Sequence, residues 1–362
     1  MKINVIGQIF GTSGYASHTK QLARALYDIA DVKLSSQIPG GFEKELSDEE
    51  LLMLKKPDGK DRINIIIGFP HSWSQFCDRE NNVGFLIWEG DRIPKDWMDC
   101  CANLMIKQVW VPSVHTKDAI LETLKDYPNT SAVVVPKIRI VPHGVNLDLF
   151  YPVEKPGMPI TFVCNKGFRN VEDRGGIQYA IQAFLNEFPE GQGKLLIKLN
   201  SAYSIDLGGF NAIMSQLGVK SRSDVILNTQ NIDYKSMNLL YAQGHILLNP
   251  VRAEAFSIPC AEAMACGLPV ITTNYGGQTD FVTNENGWLV DYDLEEVKHE
   301  IMYEGVRWAT PQLASLQKAM REAADNYELR KKKSEQAIKD IQEWTWKKSA
   351  EKAVNFLNEI IA

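Results

Sequence analysis

Short apolar runs alternate with amphipathic helical patterns along the whole of this 362-residue chain, and this alternation restricts the possible folds more than any other feature. Such alternation is typical of parallel sheets whose strands are connected by helices. The pattern is repeated in two blocks, which open with the apolar runs KINVIG and ITFVCNKGF and are separated by a proline-rich stretch after Phe150. The candidate strands are mostly unbroken β-branched or aromatic runs, as expected where helices cover both faces of a sheet. The sequence therefore predicts an α/β protein with two domains.

The composition excludes several classes of protein. With 44% apolar and 23% charged residues, the chain is neither disordered nor fibrous, and its six cysteines form no C-x-x-C pair or regular framework. A net charge of −6 argues against a nucleic-acid partner. The opening apolar run is too short for a signal peptide, and no apolar stretch of the sequence reaches the ~18 residues of a membrane span. We therefore expect a cytoplasmic protein whose membrane association, if any, is peripheral.

The segment NPVRAEAFSIPCAEAMACGLPVITT carries the densest functional signal. A strand delivers the chain to a loop, Pro259 falls where the first turn of a helix begins, and Gly267 ends that helix before the next strand. The unpaired N–H groups at this helix start, together with the positive end of the helix dipole, suit a diphosphate. The residues expected to offer these groups are Phe256, Ser257 and Ile258.

Two glutamates flank this helix start. Glu254 precedes the helix and Glu262 lies within its first turns, so both carboxylates can point into one cleft. A carboxylate in such a position can accept paired hydrogen bonds from neighbouring hydroxyls of a sugar. The alternative is that both glutamates only favour the positive end of the helix dipole and bind nothing.

The run E-A-F-S-I-P-C-A-E followed by A-M-A-C-G-L-P-V-I-T-T resembles the double-glutamate motif of retaining glycosyltransferases of family 4 (glycosyl transferases group 1). The flanking segments NYGGQTDFVTNENGWLV and VPHGVNLDLFYP resemble the same family, and WTWKKSAEKAVNFL is similar to its final helix. The resemblance implies the GT-B fold, in which two Rossmann-like domains face each other across a cleft and a C-terminal helix crosses back to the N-terminal domain. It predicts an acceptor-binding domain at 1–157, a donor-binding domain at 158–335 and the crossing helix at 336–362.

The resemblance also implies roles for individual residues. Glu262 matches the glutamate that holds the ribose of a nucleotide-sugar donor, and Glu254 matches the one that contacts the donor sugar or the edge of the diphosphate. The family carries a basic pair on the first strand-loop-helix of its second domain. Arg174 matches the second position of that pair, and the first position falls on Lys166 or Arg169 because the length of the loop is ambiguous.

Elementary electrostatics gives such a basic pair a purpose. Breaking a glycosyl–phosphate bond develops negative charge on the departing diphosphate, and fixed cations lower that barrier. We therefore expect no catalytic metal and no cofactor, and we interpret DYD at 291–293 as a turn and not as a metal motif. The alternative for Arg174 is a surface cluster with its neighbour Asp173.

Three further segments contribute candidates to the site. Gly11 and Gly14 lie in a loop that lacks the spacing of a dinucleotide fingerprint; the resemblance places them near the donor phosphates and the acceptor, and the alternative is a plain tight turn. Where the family often carries a histidine facing the reacting sugar, this chain has Glu89, and His71 lies one strand earlier. Either could contact the acceptor, although His71 could also be a structural residue. The nucleotide base is expected near Asn231, with UDP slightly favoured over GDP.

The expected function follows from the resemblance together with these residues. It is the transfer of a sugar from a nucleotide diphosphate sugar to a hydroxyl group of a saccharide, lipid-linked or other acceptor, with retention of anomeric configuration. The alternatives are a nucleotide-sugar epimerase or a phosphorylase of the same fold, or an inactive module that binds a sugar or a nucleotide. A phosphorylase would need a lysine that binds pyridoxal phosphate.

Overall fold

The computed structural model describes residues 1–11, 13–38, 46–170, 172–199, 204, 206–216, 222–298 and 301–361. The chain divides into two compact units. The first unit comprises Met1–Gly144, Met302–Val306 and Thr345–Ala362, and the second comprises Val145–Ile301 and Arg307–Trp344. These limits differ from the boundaries at 157 and 335 that the sequence suggests. The proline-rich stretch lies in the second unit because the Val145 N–H donates to the Trp344 carbonyl oxygen and Phe150 packs in the core of that unit.

The first unit contains a six-stranded parallel sheet with the order β2-β1-β3-β4-β5-β6. Its strands are β1 (Lys2–Gly7), β2 (Asp31–Ser36), β3 (Ile63–Ile67), β4 (Asn82–Phe85), β5 (Ile106–Val111) and β6 (Ile138–Ile140). Its helices before residue 145 are α1 (Gly14–Tyr27), α2 (Asp48–Lys55), α3 (Pro70–Trp73), α4 (Asp96–Ala102), α5 (Val114–Leu124) and α6 (Pro128–Val134). Helix α1 begins where the Ser13 hydroxyl accepts a hydrogen bond from the Ala16 N–H, which satisfies one of the free donors of the first turn.

The two edge strands of this sheet were not among the strands that the sequence predicts. In β2, with the sequence DVKLSS, only Val32 and Leu34 are fully buried, so the strand alternates instead of forming a continuous apolar run. Strand β6 has only three residues, and Ile138 alone is fully buried. Both strands therefore lack the signal on which the prediction of the central strands depends.

The second unit contains another six-stranded parallel sheet, with the order β12-β11-β10-β7-β8-β9. Its strands are β7 (Ile160–Lys166), β8 (Gly193–Leu199), β9 (Val225–Asn228), β10 (Ile246–Asn249), β11 (Val270–Thr273) and β12 (Gly287–Val290). Its helices are α7 (Ile177–Glu187), α8 (Leu207–Gln216), α9 (Asn238–Tyr241), α10 (Ile258–Ala265), α11 (Leu313–Asp325) and α12 (Tyr327–Asp340). Phe162, Phe184 and Phe188 pack in the core between this sheet and α7.

An antiparallel hairpin of β13 (Tyr292–Glu296) and β14 (Arg307–Pro311) follows the second sheet. The interpretation of DYD at 291–293 as a turn is wrong, because Tyr292 pairs with Pro311 and Asp293 pairs with Thr310. Strand β13 is largely exposed, and without knowledge of its partner strand its polar residues resemble those of a turn.

The chain ends with α13 (Trp346–Ile361), which lies in the first unit. Its buried residues recur at helical spacing and include Trp346, Ala350, Ala353 and Leu357, and this face packs against α1. The Trp346 ring stacks on His18 of α1, with 5.7 Å between the ring centroids. Among the helices in the part of the chain that the structure describes, none combines the length and the apolar character needed to cross a membrane.

Each sheet contains a point at which the strand order reverses. In the first unit, β1 lies between β2 and β3; in the second, β7 lies between β8 and β10. The helices that follow neighbouring strands on either side of such a point leave a crevice beyond the carboxyl ends of the strands, where ligands of open α/β sheets bind. The fold therefore predicts that ligand-binding residues follow β1 and β3 in the first unit, and β7 and β10 in the second.

Candidate active site

An ion pair lies at the reversal point of the second sheet. Lys166 is the last residue of β7, and Glu254 lies in the loop between β10 and α10. The Lys166 Nζ is 2.5 Å from Oε2 of Glu254, and the two side chains are only 12% and 17% exposed. The pair is therefore largely shielded from water, which strengthens the electrostatic interactions that each charge makes.

Arg174 approaches the same loop from the connection between β7 and α7. Its Nη1 donates to the carbonyl oxygen of Ala253, the residue before Glu254, at 3.3 Å. The Asp173 carboxylate accepts hydrogen bonds from the backbone N–H groups of Arg169 (3.0 Å) and Gly175 (2.7 Å), so it shapes this connection. The geometry thus brings Lys166 and Arg174 to the loop that carries Glu254, and Arg169 and Arg174 are both exposed.

The backbones of these two segments are in direct contact. Gly176, which precedes α7, has φ +74°, and a Cβ atom at this position would lie 1.9 Å from the Pro250 carbonyl oxygen. The Arg252 N–H also donates to the Arg174 carbonyl oxygen at 2.8 Å. No residue with a side chain can replace Gly176 without moving the two segments apart.

Glu262 lies in α10 and is only 4% exposed. The Tyr241 hydroxyl donates to its Oε2 at 2.7 Å, and Nδ2 of Asn165 donates to the Tyr241 hydroxyl oxygen at 3.2 Å. Burial raises the pKa of Glu262 to about 8, although the hydrogen bond from Tyr241 opposes the shift. Glu262 is therefore mostly protonated at neutral pH in this structure.

The hydrogen-bonded chain of Asn165, Tyr241 and Glu262 was not found by sequence reasoning. Asn165 and Lys166 are consecutive at the end of β7. Glu262 is linked to Asn165 through the Tyr241 hydroxyl, and Glu254 is paired directly with Lys166, so both glutamates contact the end of one strand. The available signal was a pair of polar residues, Asn165 and Lys166, directly after the apolar run ITFVC, at the end of a strand where ligand-binding side chains are expected.

The start of α10 has an unusual backbone. Ser257 has φ 73° and ψ 74°, in the left-handed region that rarely accommodates a residue with a side chain. Nδ2 of Asn249 donates to the Ser257 Oγ at 3.4 Å and to the Thr272 Oγ1 at 3.2 Å, which ties this turn to β10 and β11. Pro259 lies in the first turn of the helix, and Gly267, with φ +75°, follows its end, as the sequence predicts.

The side chain of Phe256 is buried against Phe281 and Trp344, so it belongs to the core. Ile258 is half-buried. A second loop supports this stretch, because the Gly277 N–H donates to the Glu254 carbonyl oxygen at 2.8 Å. A Cβ atom at Gly277 would lie 1.9 Å from the Ala255 carbonyl oxygen, so the close approach requires glycine.

In the first unit, the candidates Gly11, Gly14 and His71 follow β1 and β3, on either side of the reversal point of that sheet. Both glycines are exposed, Gly11 has φ +84°, and a Cβ atom at either would have no atom within 4 Å among the described residues. His71 is exposed on α3, and its ring stacks on Phe69 with 5.8 Å between the centroids. These positions leave room for a ligand beyond the ends of β1 and β3.

Glu89 follows β4 in the first unit and is half-buried. The Tyr303 hydroxyl donates to its Oε1 at 2.6 Å, and the Tyr303 ring stacks on Trp88 with 4.8 Å between the centroids. Nε2 of His115 lies 2.8 Å from the Glu89 carbonyl oxygen. Asn231, the candidate for the nucleotide base, is exposed in the second unit just beyond β9, two strands away from β7.

A comparison with the sequence models of protein families found a match in the part of the chain that carries most of the second sheet. Residues 178–303, which include Glu254 and Glu262, match the sequence model of the family described as Glycosyl transferases group 1. The matched segment makes up about a third of this chain.

The curated relatives contain a similar segment. This chain is 24% identical to a probable sucrose-phosphate synthase of Thermosipho melanesiensis, over 65% of this chain and 50% of the relative. It is 27% identical to the D-inositol 3-phosphate glycosyltransferase of Xylanimonas cellulosilytica, over 43% of this chain and 39% of the relative. The matches span about half or less of the length of these curated relatives.

Solved structures resemble the chain over its whole length. The sucrose-phosphate synthase of Thermosynechococcus elongatus has a TM-score of 0.71 and 17% identity, and the match covers 100% of this chain and 99% of that one. Alr3699/HepE of Anabaena, solved in complex with UDP, has a TM-score of 0.70 and 13% identity, with 99% and 100% covered. These likenesses confirm the fold that the sequence predicts, since the group 1 segment lies in a GT-B fold with two Rossmann-like domains.

Proposed function

We propose that this chain is a glycosyltransferase that moves a sugar from a nucleotide diphosphate sugar to a hydroxyl group of an acceptor. The observation that carries the proposal is the approach of Lys166 and Arg174 to the loop of Glu254, at the carboxyl ends of β7 and β10. Ligands of open α/β sheets bind at this kind of position. The match of residues 178–303 to the group 1 family supports the same activity.

The reaction needs stabilisation of the leaving group. As the glycosyl–phosphate bond breaks, negative charge grows on the diphosphate, and fixed cations lower the barrier to this step. Lys166 and Arg174 are proposed to hold the diphosphate together with the backbone at the start of α10, with Arg169 as the alternative to Lys166. Glu254 then contacts the donor sugar or the edge of the diphosphate, and Glu262 holds the ribose.

We further propose that the transfer retains the anomeric configuration and uses no metal. No enzymic nucleophile is assigned, so the departing phosphate takes the proton of the acceptor hydroxyl. A metal-independent reaction predicts that EDTA leaves the turnover unchanged, because the two cations supply the positive charge. Loss of activity in EDTA that is restored by a divalent ion contradicts this part of the proposal.

UDP is the favoured nucleotide, with its base near Asn231. Solved structures of similar fold support this choice, since Alr3699/HepE of Anabaena was solved with UDP and with UDP-glucose.

The acceptor, a saccharide or another hydroxyl compound, is proposed to bind beyond β1 and β3 of the first unit, near Gly11, Gly14 and His71. The six cysteines are all free, which supports a reducing, cytoplasmic environment in which any membrane association is peripheral.

The test compares two exposed cations of the second unit. We expect Arg174→Ala to weaken binding of UDP by at least about tenfold, the equivalent of ~1.4 kcal/mol, because it removes a cation from the diphosphate. Lys194→Ala is the matched control, and we expect a change of less than about twofold because Lys194 is exposed near the amino-terminal end of β8, at the edge of the sheet away from the crevice. Isothermal titration calorimetry with UDP and a turnover assay with UDP-glucose measure both variants. Equal effects of the two substitutions, or none, contradict the assignment of the donor site.

A further inference from the structure

Arg252 is a buried cation two residues before Glu254, and neither the resemblance nor the charge argument assigns it a role. Its side chain is only 4% exposed. Burying a guanidinium is costly unless its N–H groups are paired. Both terminal nitrogens of Arg252 have partners, whereas its buried Nε has none among the described residues. These partners lie in two different parts of the second unit.

The first group of partners is the stretch that carries Arg174. Nη1 of Arg252 donates to the backbone carbonyl oxygen of Glu172 at 3.1 Å and to its Oε2 at 3.2 Å. The Arg252 N–H donates to the Arg174 carbonyl oxygen at 2.8 Å. Arg252 therefore binds the backbone of this stretch at two points, on either side of Asp173.

The second group of partners is the β13–β14 hairpin. Nη2 of Arg252 donates to Oε2 of Glu295 at 3.2 Å and to Oγ1 of Thr310 at 3.4 Å. The Arg252 carbonyl oxygen accepts from the Ala309 N–H at 2.8 Å, and the guanidinium lies over the Trp308 ring at 5.8 Å. The hairpin thus provides a second set of contacts that fixes Arg252.

We propose that Arg252 is a positioning residue that sets the distance of Arg174 from the donor diphosphate. Its planar fork holds Glu172 with one nitrogen and the hairpin with the other, and lysine cannot make both contacts because it presents a single point charge. Arg252 does not touch the donor itself. This inference rests on the proposed function, since it assumes that Arg174 binds the diphosphate.

A double-mutant cycle tests the inference. The dissociation constant for UDP is measured by calorimetry in the wild type, Arg174→Ala, Arg252→Lys and the double variant. If Arg252 acts through Arg174, Arg252→Lys weakens UDP binding by about five- to tenfold in the wild type and by less than about twofold in the Arg174→Ala background. Residues that act independently give additive effects, whereas coupled residues do not.

Each outcome distinguishes the two proposals. Equal loss of affinity from Arg252→Lys in both backgrounds, or no loss in the wild type, overturns the role of Arg252 and leaves the donor site intact. No loss from Arg174→Ala overturns the proposed donor site and the role of Arg252 with it. Arg252→Met provides a second variant, and it is expected to fold because the carboxylates of Glu172 and Glu295 are more than half exposed.

Arg222→Lys is the matched control. Arg222 also joins a carboxylate, that of Asp224 at 2.7 Å, to a backbone carbonyl oxygen, that of Phe188 at 2.8 Å. It lies before β9, at the amino-terminal edge of the sheet, away from the reversal point. We expect Arg222→Lys to leave UDP affinity unchanged, and a loss equal to that of Arg252→Lys would show that the effect is not specific to Arg252.

Discussion

The protonation of Glu262 makes the stability of the second unit depend on pH. The carboxyl group is buried and accepts one hydrogen bond from Tyr241, and its pKa is raised from 4.5 to about 8. Because the folded form holds this proton more tightly than the unfolded form, the contribution is fully present below pH 4.5 and is lost as the pH rises through 8. Glu262→Gln replaces the protonated acid by an uncharged amide of the same shape and removes this dependence.

The magnitude follows from the size of the shift. One pKa unit corresponds to about 1.4 kcal/mol, so the free energy of unfolding of the wild type falls by roughly 3 kcal/mol between pH 5 and pH 8 on account of Glu262. Glu262→Gln is expected to have a stability close to that of the wild type at pH 5. At pH 8 we expect the variant to be more stable by roughly 3 kcal/mol.

The assay is urea unfolding of both proteins at several values between pH 5 and pH 8. A chain of two units does not have to unfold in one step, so the comparison is made on the transition that the substitution shifts. Other titrating groups contribute equally to both proteins and cancel in the difference. Parallel pH profiles of the two proteins refute the reasoning, because they mean that Glu262 is ionised in the folded chain. The affinity of Glu262→Gln for UDP is measured separately by calorimetry, because it reports on the proposed contact with the ribose and not on the free energy of unfolding.

Three further predictions concern backbone geometry and a buried histidine. Ser257→Val is expected to lower stability by roughly 1–3 kcal/mol, since a β-branched residue fits the left-handed conformation poorly; an unchanged melting temperature argues against that conformation. Gly277→Ala is expected to reduce the affinity for UDP, because the new Cβ would displace the carbonyl oxygen of Ala255. Gly157→Ala is the control and should leave the affinity unchanged, because a Cβ at Gly157 meets no described atom within 4 Å. Calorimetry with UDP compares the two variants. Burial keeps the pKa of His18 well below 6.5, so the free energy of unfolding of the wild type falls by about 1.4 kcal/mol per pH unit below pH 6.5, until the pH reaches that lowered pKa. His18→Leu lacks the titrating group, and denaturant unfolding of both proteins at several pH values tests whether only the wild type shows this fall.

The prediction of the fold from sequence succeeded where local signals and burial agreed. The strand–loop–helix around α10 was predicted because Pro259 and Gly267 mark both ends of the helix, and the structure places both as expected. Strands β2, β6, β13 and β14 were missed. The first three are half-exposed or very short, and β14 is a five-residue strand that pairs with β13. An edge strand can be recognised only when its partner strand is known, and that pairing is determined by the whole sheet and not by the local sequence.

The candidate site shows the same limit at a finer scale. The choice between Lys166 and Arg169 depends on where β7 ends, and the ladder with β8 extends as far as the pairing of Lys166 with Leu199. Tyr241 lies 21 residues before Glu262 in sequence, and nothing in the local pattern of either residue indicates the hydrogen bond between them. Contacts of this kind follow from packing, which motif reading does not supply.

Strand order explains why chemistry separated by so much sequence converges at one point. Lys166 and Glu254 are 88 residues apart, and they meet because β7 and β10 are neighbours in the sheet although β8 and β9 lie between them in sequence. The alternation of strands and helices predicts a parallel sheet but leaves its order open. In the sheet, β8 and β9 lie on one side of β7 and β10 pairs on the other side, so the loops after β7 and β10 share one crevice. The position of the cations therefore depends on the strand order of the sheet, and the double-glutamate segment supplies the partners that hold them there.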